Sequence, residues 1–417
     1  MKKSICFFNK LDLFAFSLGI IIAIAGCQMN TKKEVKSTEE KKELSFESYV
    51  IADSVKFLWA HCPVNITGDK ITDLVFIHNN ASGGYMGYYE GKKDAGLWVK
   101  HIIAETPPDG GLFALGDLEC ADIDFDGDID VVAAKHPGEW VKSNAPAVLY
   151  WYENPDWEAH LIGEAPGFVK DVSIVDFNKD KKMDIAVMTF ENNTLSIFQQ
   201  KEADNWEKVQ YYQDYKNLHE GMGIGDVNGD GWIDIVADAH IFYNPGQDLK
   251  AEWKEENLDE KWNTQTGDWS RNGTKIFLRD LDKDGKAEIF ISHSERSGYP
   301  LSWYKQNENG EWEENMISDS IPACHTLQVY DFDLDGDYDV LAGINKSRAV
   351  VLGFTSFEVI IFLSEDNYKS WTPLVIEEKG IYNGQVADFD QDGDYDIFRY
   401  PTHDSIKYYL FKNRTID

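Results

Sequence analysis

Positive charge is scarce in this chain. Forty Lys and Arg stand against 73 Asp and Glu, for a net charge of −33 over 417 residues. So acidic a molecule repels phosphate backbones, which excludes nucleic acid as a partner. Cysteine is scarcer still, at five residues. Cys6 and Cys27 fall in an N-terminal targeting segment, leaving Cys62, Cys120 and Cys324, an odd number that indicates no disulfide framework and reads as three buried thiols. The N-terminal apolar run, Leu13 to Ala25, is too short for a comfortable membrane span. No nucleophile motif is visible, and no carboxylate pair is placed for glycoside hydrolysis.

That apolar run follows Lys2, Lys3 and Lys10 and meets Ile24-Ala25-Gly26-Cys27. The layout is a secretory signal, and its last four residues resemble a bacterial lipobox, with Cys27 the lipidated first residue of the mature chain. An ordinary signal peptide with a chance cysteine is the alternative. Gln28 in second place, where an aspartate is absent, implies the outer membrane. The expected organisation is a lipoprotein signal over 1–26, a polar tether over 27–43 whose composition cannot build a core, and a folded part over 44–417. The membrane is then a partner through a lipid anchor, at the cell surface or the periplasmic face.

Acid is abundant and periodic. The pattern D-x-[DN]-x-D-G-x-x-[DE] occurs five times, from Asp122, Asp226, Asp280, Asp331 and Asp388. Decayed copies start at Asn65, with Lys70 at position six, and at Asp176, with Lys181 there. The seven starts are 57, 54, 50, 54, 51 and 57 residues apart, a spacing that marks a repeat architecture. Short β-rich runs surround each loop, four per repeat, and seven four-stranded repeats predict an all-β, seven-bladed propeller. The last repeat lacks its fourth strand. The segment Phe46 to Ile51 resembles the fourth-strand run Trp157 to Ile162, so it is expected to close the ring.

Oxygen ligands at positions one, three, five and nine, with glycine for the sharp turn at six, suit Ca2+ in a structural role. The ligands are Asp122, Asp124, Asp126 and Asp130; Asp226, Asn228, Asp230 and Asp234; Asp280, Asp282, Asp284 and Glu288; Asp331, Asp333, Asp335 and Asp339; and Asp388, Asp390, Asp392 and Asp396. An EF-hand is excluded, because position twelve of the first full loop is Ala133 and strands flank it.

These loops, with strands such as GDVNGDGWIDIVADA, resemble VCBS/FG-GAP repeats over essentially residues 44–417. The resemblance implies a propeller and calcium loops, and leaves function open among adhesion, sugar binding and catalysis.

A strand of five or six residues crosses a blade, so the strand after each loop ends on the face opposite the cation. His78 and His293 lie thirteen residues past their loop starts, His136 and His240 fourteen, and His403 fifteen. His219 and His325 precede their loops by seven and six. These seven histidines are expected on one face near the central channel; His101 and His160 fall on outer strands, and His61 is unassigned. Cations join that face: Lys170, Arg271, Arg296, Lys346 and Arg348, with Tyr382 beside them. The candidate catalytic set is His219, His325, His136, His240 and His293, with one of the first two as base and the other as acid. The candidate substrate set is Lys170, Arg271, Arg296, His78, His403 and Tyr382. A divalent transition metal among the histidines is a further candidate cofactor.

Cations and imidazoles on an acidic protein point to a locally held anion. A uronate fits: a cation neutralises its carboxylate, a base takes the acidified C–H proton, and an acid protonates the leaving oxygen, which is β-elimination. The propeller is similar to that of aldos-2-ulose dehydratase, and several polysaccharide lyases use seven blades. That similarity implies an oligosaccharide dehydratase or lyase acting on an anionic, ulvan-like polysaccharide or its oligosaccharides. The alternative is a calcium-stabilised glycan- or protein-binding lipoprotein without chemistry.

Overall fold

A computed structural model describes residues 44–55, 57–78, 84–113, 116–136, 145–190, 194–212, 220–263, 273–403 and 405–416. Seven antiparallel sheets make seven blades, each with four strand positions. Blade 1 starts at Leu58–Val64 and blade 3 at Phe168–Val175; blades 4, 5 and 6 start at Met222–Gly225, Thr274–Arg279 and Cys324–Tyr330. Blade 2 has its first position in two pieces, Leu112–Phe113 and Glu119–Ala121, both paired with Asp130–His136. Blade 7 starts at Gln385–Ala387. Its fourth position is filled by the N-terminal strand Phe46–Asp53, which runs antiparallel to Lys407–Asn413 from the Phe46–Asn413 pair to the Asp53–Lys407 pair. The first strands contact one another in order around the ring, and the seventh returns to the first. The N-terminal strand completes blade 7, and each blade keeps only its two short edges, at the channel and at the rim.

Second strands run through the core. Asp73–His78, Glu288–His293 and Asp339–Ile344 are buried at every residue. Fourth strands are more open, and Val99–Ala104 has three of its six residues exposed. Position two of each loop plugs the space between blades: Ile66, Ile123, Phe177, Val227, Leu281, Phe332 and Phe389 are all at most 4% exposed.

All seven loops turn the same way. Position four has positive φ in each, from Gly68 and Phe125 through Gln391, and so has position six. Glycine fills position six in the five full loops, while Lys70 (φ 81°) and Lys181 (φ 71°) hold the same conformation in the decayed copies at a side chain's steric cost. The decayed loops keep the turn because position nine still fixes it. In blade 1 the Asp73 carboxylate accepts from Ile66 N (3.0 Å) and Thr67 N (3.1 Å) in its own loop and from Gly91 N (2.7 Å) beyond the third strand. Asp130, Asp184, Asp234, Asp339 and Asp396 repeat this bridge, each accepting from position two and from the third-strand end.

The bridge continues between blades. Asn154 Nδ2 donates to Ile66 O of the preceding blade at 3.0 Å, and Gln200, Asn244 and Asn413 donate to Ile123 O, Phe177 O and Phe332 O. Asp73→Ala removes an acceptor from several buried donors in a loop that has lost most of its cation ligands. It should cost about 3 kcal/mol in urea denaturation, chelator present or absent.

Candidate functional site

The channel is a polar cavity of about 390 Å³. Its walls come from the first strands, including His61, Asp117, Glu119, Asp171, Lys275 and His325. At one mouth, residues at a constant offset meet. Six places before their loops stand Trp59, Gly116, Lys170, Glu220, Thr274, His325 and Tyr382. Lys170 Nζ pairs with Glu220 Oε2 at 2.8 Å, both buried. A side chain at Gly116 would bring a Cβ within 2.7 Å of Lys170 Cδ, so glycine makes room for that lysine. His325 is 1% exposed. Its Nδ1 meets Asn383 Oδ1 at 2.7 Å, and its Nε2 faces Glu295 Oε1 at 3.3 Å and Glu220 Oε1 at 3.6 Å. Arg348 Nε reaches Glu295 Oε2 at 3.2 Å.

Burial alone would raise the Glu220 carboxyl, but Lys170, Lys275 and His325 outweigh it and hold it well below the ordinary range. Burial would lower the Lys170 ammonium; Glu220 overrides this and raises it. Deeper in the channel the balance reverses. Burial, with the nearby Asp171 charge, pushes Asp117 up to about 7 against the pull of Lys275. Glu119 is raised well above its usual value by burial, Cys62 and Asp117. His61 is pushed down to about 3 by burial and Lys275, and neither ring nitrogen has a hydrogen-bond partner among the described residues.

Tyr382 joins the mouth, its ring centroid 4.3 Å from His325 and 4.1 Å from His403. Burial raises its phenol above the ordinary value. His403 stacks on Phe57 and Trp59. Its Nδ1 lies 3.1 Å from Leu58 O and 3.0 Å from Tyr400 Oη, and burial pushes its pKa down to about 3.

Three of the other expected histidines do not gather here. His78 is buried between blades 7 and 1, with Nε2 at 2.9 Å from Tyr408 Oη. His240 opens a third strand rather than ending a second, because blade 4 turns early at Asp238-Ala239; its Nδ1 holds Glu255 at 2.7 Å. His293 ends its strand buried against Tyr299, with Nδ1 accepting from Glu295 N. These three serve blade packing, which corrects the expectation of a single rim. His136 pairs through its backbone with Leu112. Arg296 follows Glu295 in the turn that meets Ala323, its carbonyl accepting from Ala323 N. His219 and Arg271, like the Cys27 anchor, lie outside the described residues.

Glu220, Glu295, Asn383, Asp117, Glu119, Asp171 and Lys275 are missed by reading histidines. The offset that finds Lys170, His325 and Tyr382 also finds Glu220, and one residue further on it finds Asp117, Asp171, Lys275 and Asn383.

Several carboxylate groups could hold a metal ion. Ligand atoms of Asp122, Asp124 and Asp130 lie within 4.8 Å of one another, as do those of Asp280, Asp282 and Glu288, of Asp331, Asp333 and Asp339, and of Asp388, Asp390 and Asp396. Backbone donors aim them: Asp331 accepts from Asp335 N and Gly336 N at 3.1 and 3.0 Å. Two loops already contain an ammonium. Lys305 reaches Asp282 and, at 3.0 Å, Glu288, while Lys412 reaches Asp390 and, at 3.3 Å, Asp392. Glu220, Glu295 and His325 form a further convergent set. There Lys170 and Arg348 neutralise both carboxylates, so the set has no charge deficit for a transition metal to fill.

The family model for FG-GAP-like repeats matches residues 122–187, 176–237 and 280–342. Over those residues the chain is similar to FG-GAP-like repeats. No curated protein matches it in sequence. Among solved structures, a chain of the crystal structure of BBS1N in complex with ARL6DN, soaked with lead, aligns at TM-score 0.51 and 10% identity, covering 88% of this chain and 97% of that one. A protein from Lactobacillus plantarum aligns at TM-score 0.46 and 8% identity, covering 78% and 86%. At such identity the first likeness speaks for the fold alone.

The Lys170–Glu220 pair yields a test. Lys170→Met leaves a buried carboxylate without its nearest cation and should cost about 3–5 kcal/mol in chemical denaturation. Adding Glu220→Gln should recover most of the loss.

Proposed function

We propose that the protein is a lyase or dehydratase that opens uronate-containing oligosaccharides by β-elimination, tethered to the outer membrane through Cys27. The observation that carries this reading is the contact of Tyr382 with both His325 and His403 beside Lys170, which puts a neutral imidazole, a protonated phenol and a cation at one channel mouth. His403 donates Nδ1–H to Leu58 O, so Nε2 keeps the lone pair and serves as base. Tyr382 is the acid that protonates the leaving oxygen. Arg296, next to Glu295 in the turn, supplies the positive charge for the uronate carboxylate, since Lys170 and Arg348 are already paired with Glu220 and Glu295. Both nitrogens of His325 are engaged, so it is a positioning residue rather than a base.

A screen of anionic oligosaccharides, read by the ultraviolet absorbance of the new C=C bond, tests the reaction. His403→Ala and Tyr382→Phe should each lower turnover by about 10²–10⁴ with the fold retained. The outer-strand variant His160→Ala, which loses contacts to Glu153 and Asp204, should keep turnover. Retention of a glycan with no unsaturated product would replace this reading by the binding one.

The aspartate loops fit calcium as a structural ion, held most readily by the Asp122 and Asp331 loops, which lack the lysines of blades 5 and 7. Without a cation, burial pushes Asp130 up to about 6, Asp234 and Asp339 to about 7, and Asp396 to about 8. Between the unfolded carboxylate range and these values the folded state holds protons that the unfolded chain has released. Stability of the chelated protein should therefore fall as pH rises from about 4 to about 8. Calcium favours the ionised carboxylates, so its increment in Tm should grow over the same interval. Equal Tm with calcium and with chelator at pH 8 would refute bound calcium.

A further inference from the structure

Two of the three thiols of the folded part meet. Cys62 lies on the inner strand of blade 1, opposite Val75, and Cys120 on the inner strand of blade 2, opposite Val131. These two strands are neighbours in the ring, with Cα atoms approaching within 8 Å. Both cysteines are half-buried against one apolar cluster, and their chain neighbours His61 and Glu119 line the same cavity. The Cys62 thiol donates to Pro63 O at 4.0 Å, and the nearby Cys120 sulfur raises it above its usual value. Such thiols need only a small adjustment to reach bonding geometry, since a disulfide spans Cα atoms about 4.4–6.8 Å apart. The place also has a mechanical weakness. The inner edge of blade 2 is in two short pieces, so its ladder to the second strand is interrupted beside the channel.

We propose that Cys62 and Cys120 form a disulfide that staples the inner strand of blade 2 to that of blade 1. In the cell it rests on export to an oxidising compartment. With glutathione disulfide as oxidant, the Cys120 thiolate attacks one glutathione sulfur and expels a glutathione thiolate. Cys62 then loses its proton and attacks Cys120 Sγ, expelling the second. Two protein thiols are oxidised, two protons are released to the departing thiolates, and one glutathione disulfide becomes two thiols. Cys324, in blade 6, is 1% exposed and pushed up to about 11 by burial, and takes no part.

The test is peptide mapping, without reduction, of the folded full chain after incubation with glutathione disulfide. The expected product is a linked pair of peptides containing Cys62 and Cys120, about 2 Da lighter than their sum. Tm should rise by roughly 2–5 °C and fall back with dithiothreitol. Cys324→Ser should behave the same way, and Cys120→Ser should show no rise. Cys62 and Cys120 that stay open to alkylation, or that stop at separate glutathione adducts, would overturn the proposal, and mapping of the unmutated chain decides this even if a variant fails to fold. A link formed in vitro but reduced in cells supports the pairing and counts against export instead.

Discussion

Each blade hangs on one buried carboxylate. At position nine of six of the seven repeats, an Asp bridges the backbone of its own loop and the end of the third strand, and in blade 5 Glu288 accepts from Leu281 N. The carboxylate holds the apolar plug at position two by its N–H, and the amide strut from the next blade holds the same residue by its carbonyl. A buried acceptor shared by several backbone donors is costly to lose, because every donor is stranded with it. That is why Asp73 and Asp184 remain in loops where Lys70 and Lys181 have replaced the glycine. Cation binding is a further layer laid over a turn that hydrogen bonds already define.

The same arrangement explains how a chain of net charge −33 stays folded. Acids are concentrated in loops where backbone N–H groups, third-strand lysines or a divalent ion can compensate them. Inside the channel, compensation is done pair by pair. Lys170 and Arg348 serve Glu220 and Glu295, and the single Lys275 serves a wall with Asp117 and Asp171. The mouth thus holds ionised groups beside the neutral His403 imidazole and the Tyr382 phenol.

The offset rule shows how far sequence reading reaches into the site. Counting back from each loop finds Lys170, His325 and Tyr382, because a fixed count back from each turn reaches the same height in every blade. Applied to histidines past the loops, counting fails for His78, His240 and His293. Second strands are buried on both faces, and their end residues are absorbed into packing between blades. Glu220 and Glu295 are equally visible as letters, but their pairing with His325 joins blades 4, 5 and 6, and no local pattern records which blades face one another across a ring.

By itself the sequence determined the seven-fold repeat, the acidic turns and the strand that closes the ring, since these depend on residues within about ten positions of one another or on likeness between copies. Tertiary structure alone decided which side chains meet: that Tyr382 touches two histidines, that lysines enter the loops of blades 5 and 7, and that an odd set of three cysteines contains an adjacent pair. Those contacts join residues tens to hundreds of positions apart, and only closure of the ring brings them within reach.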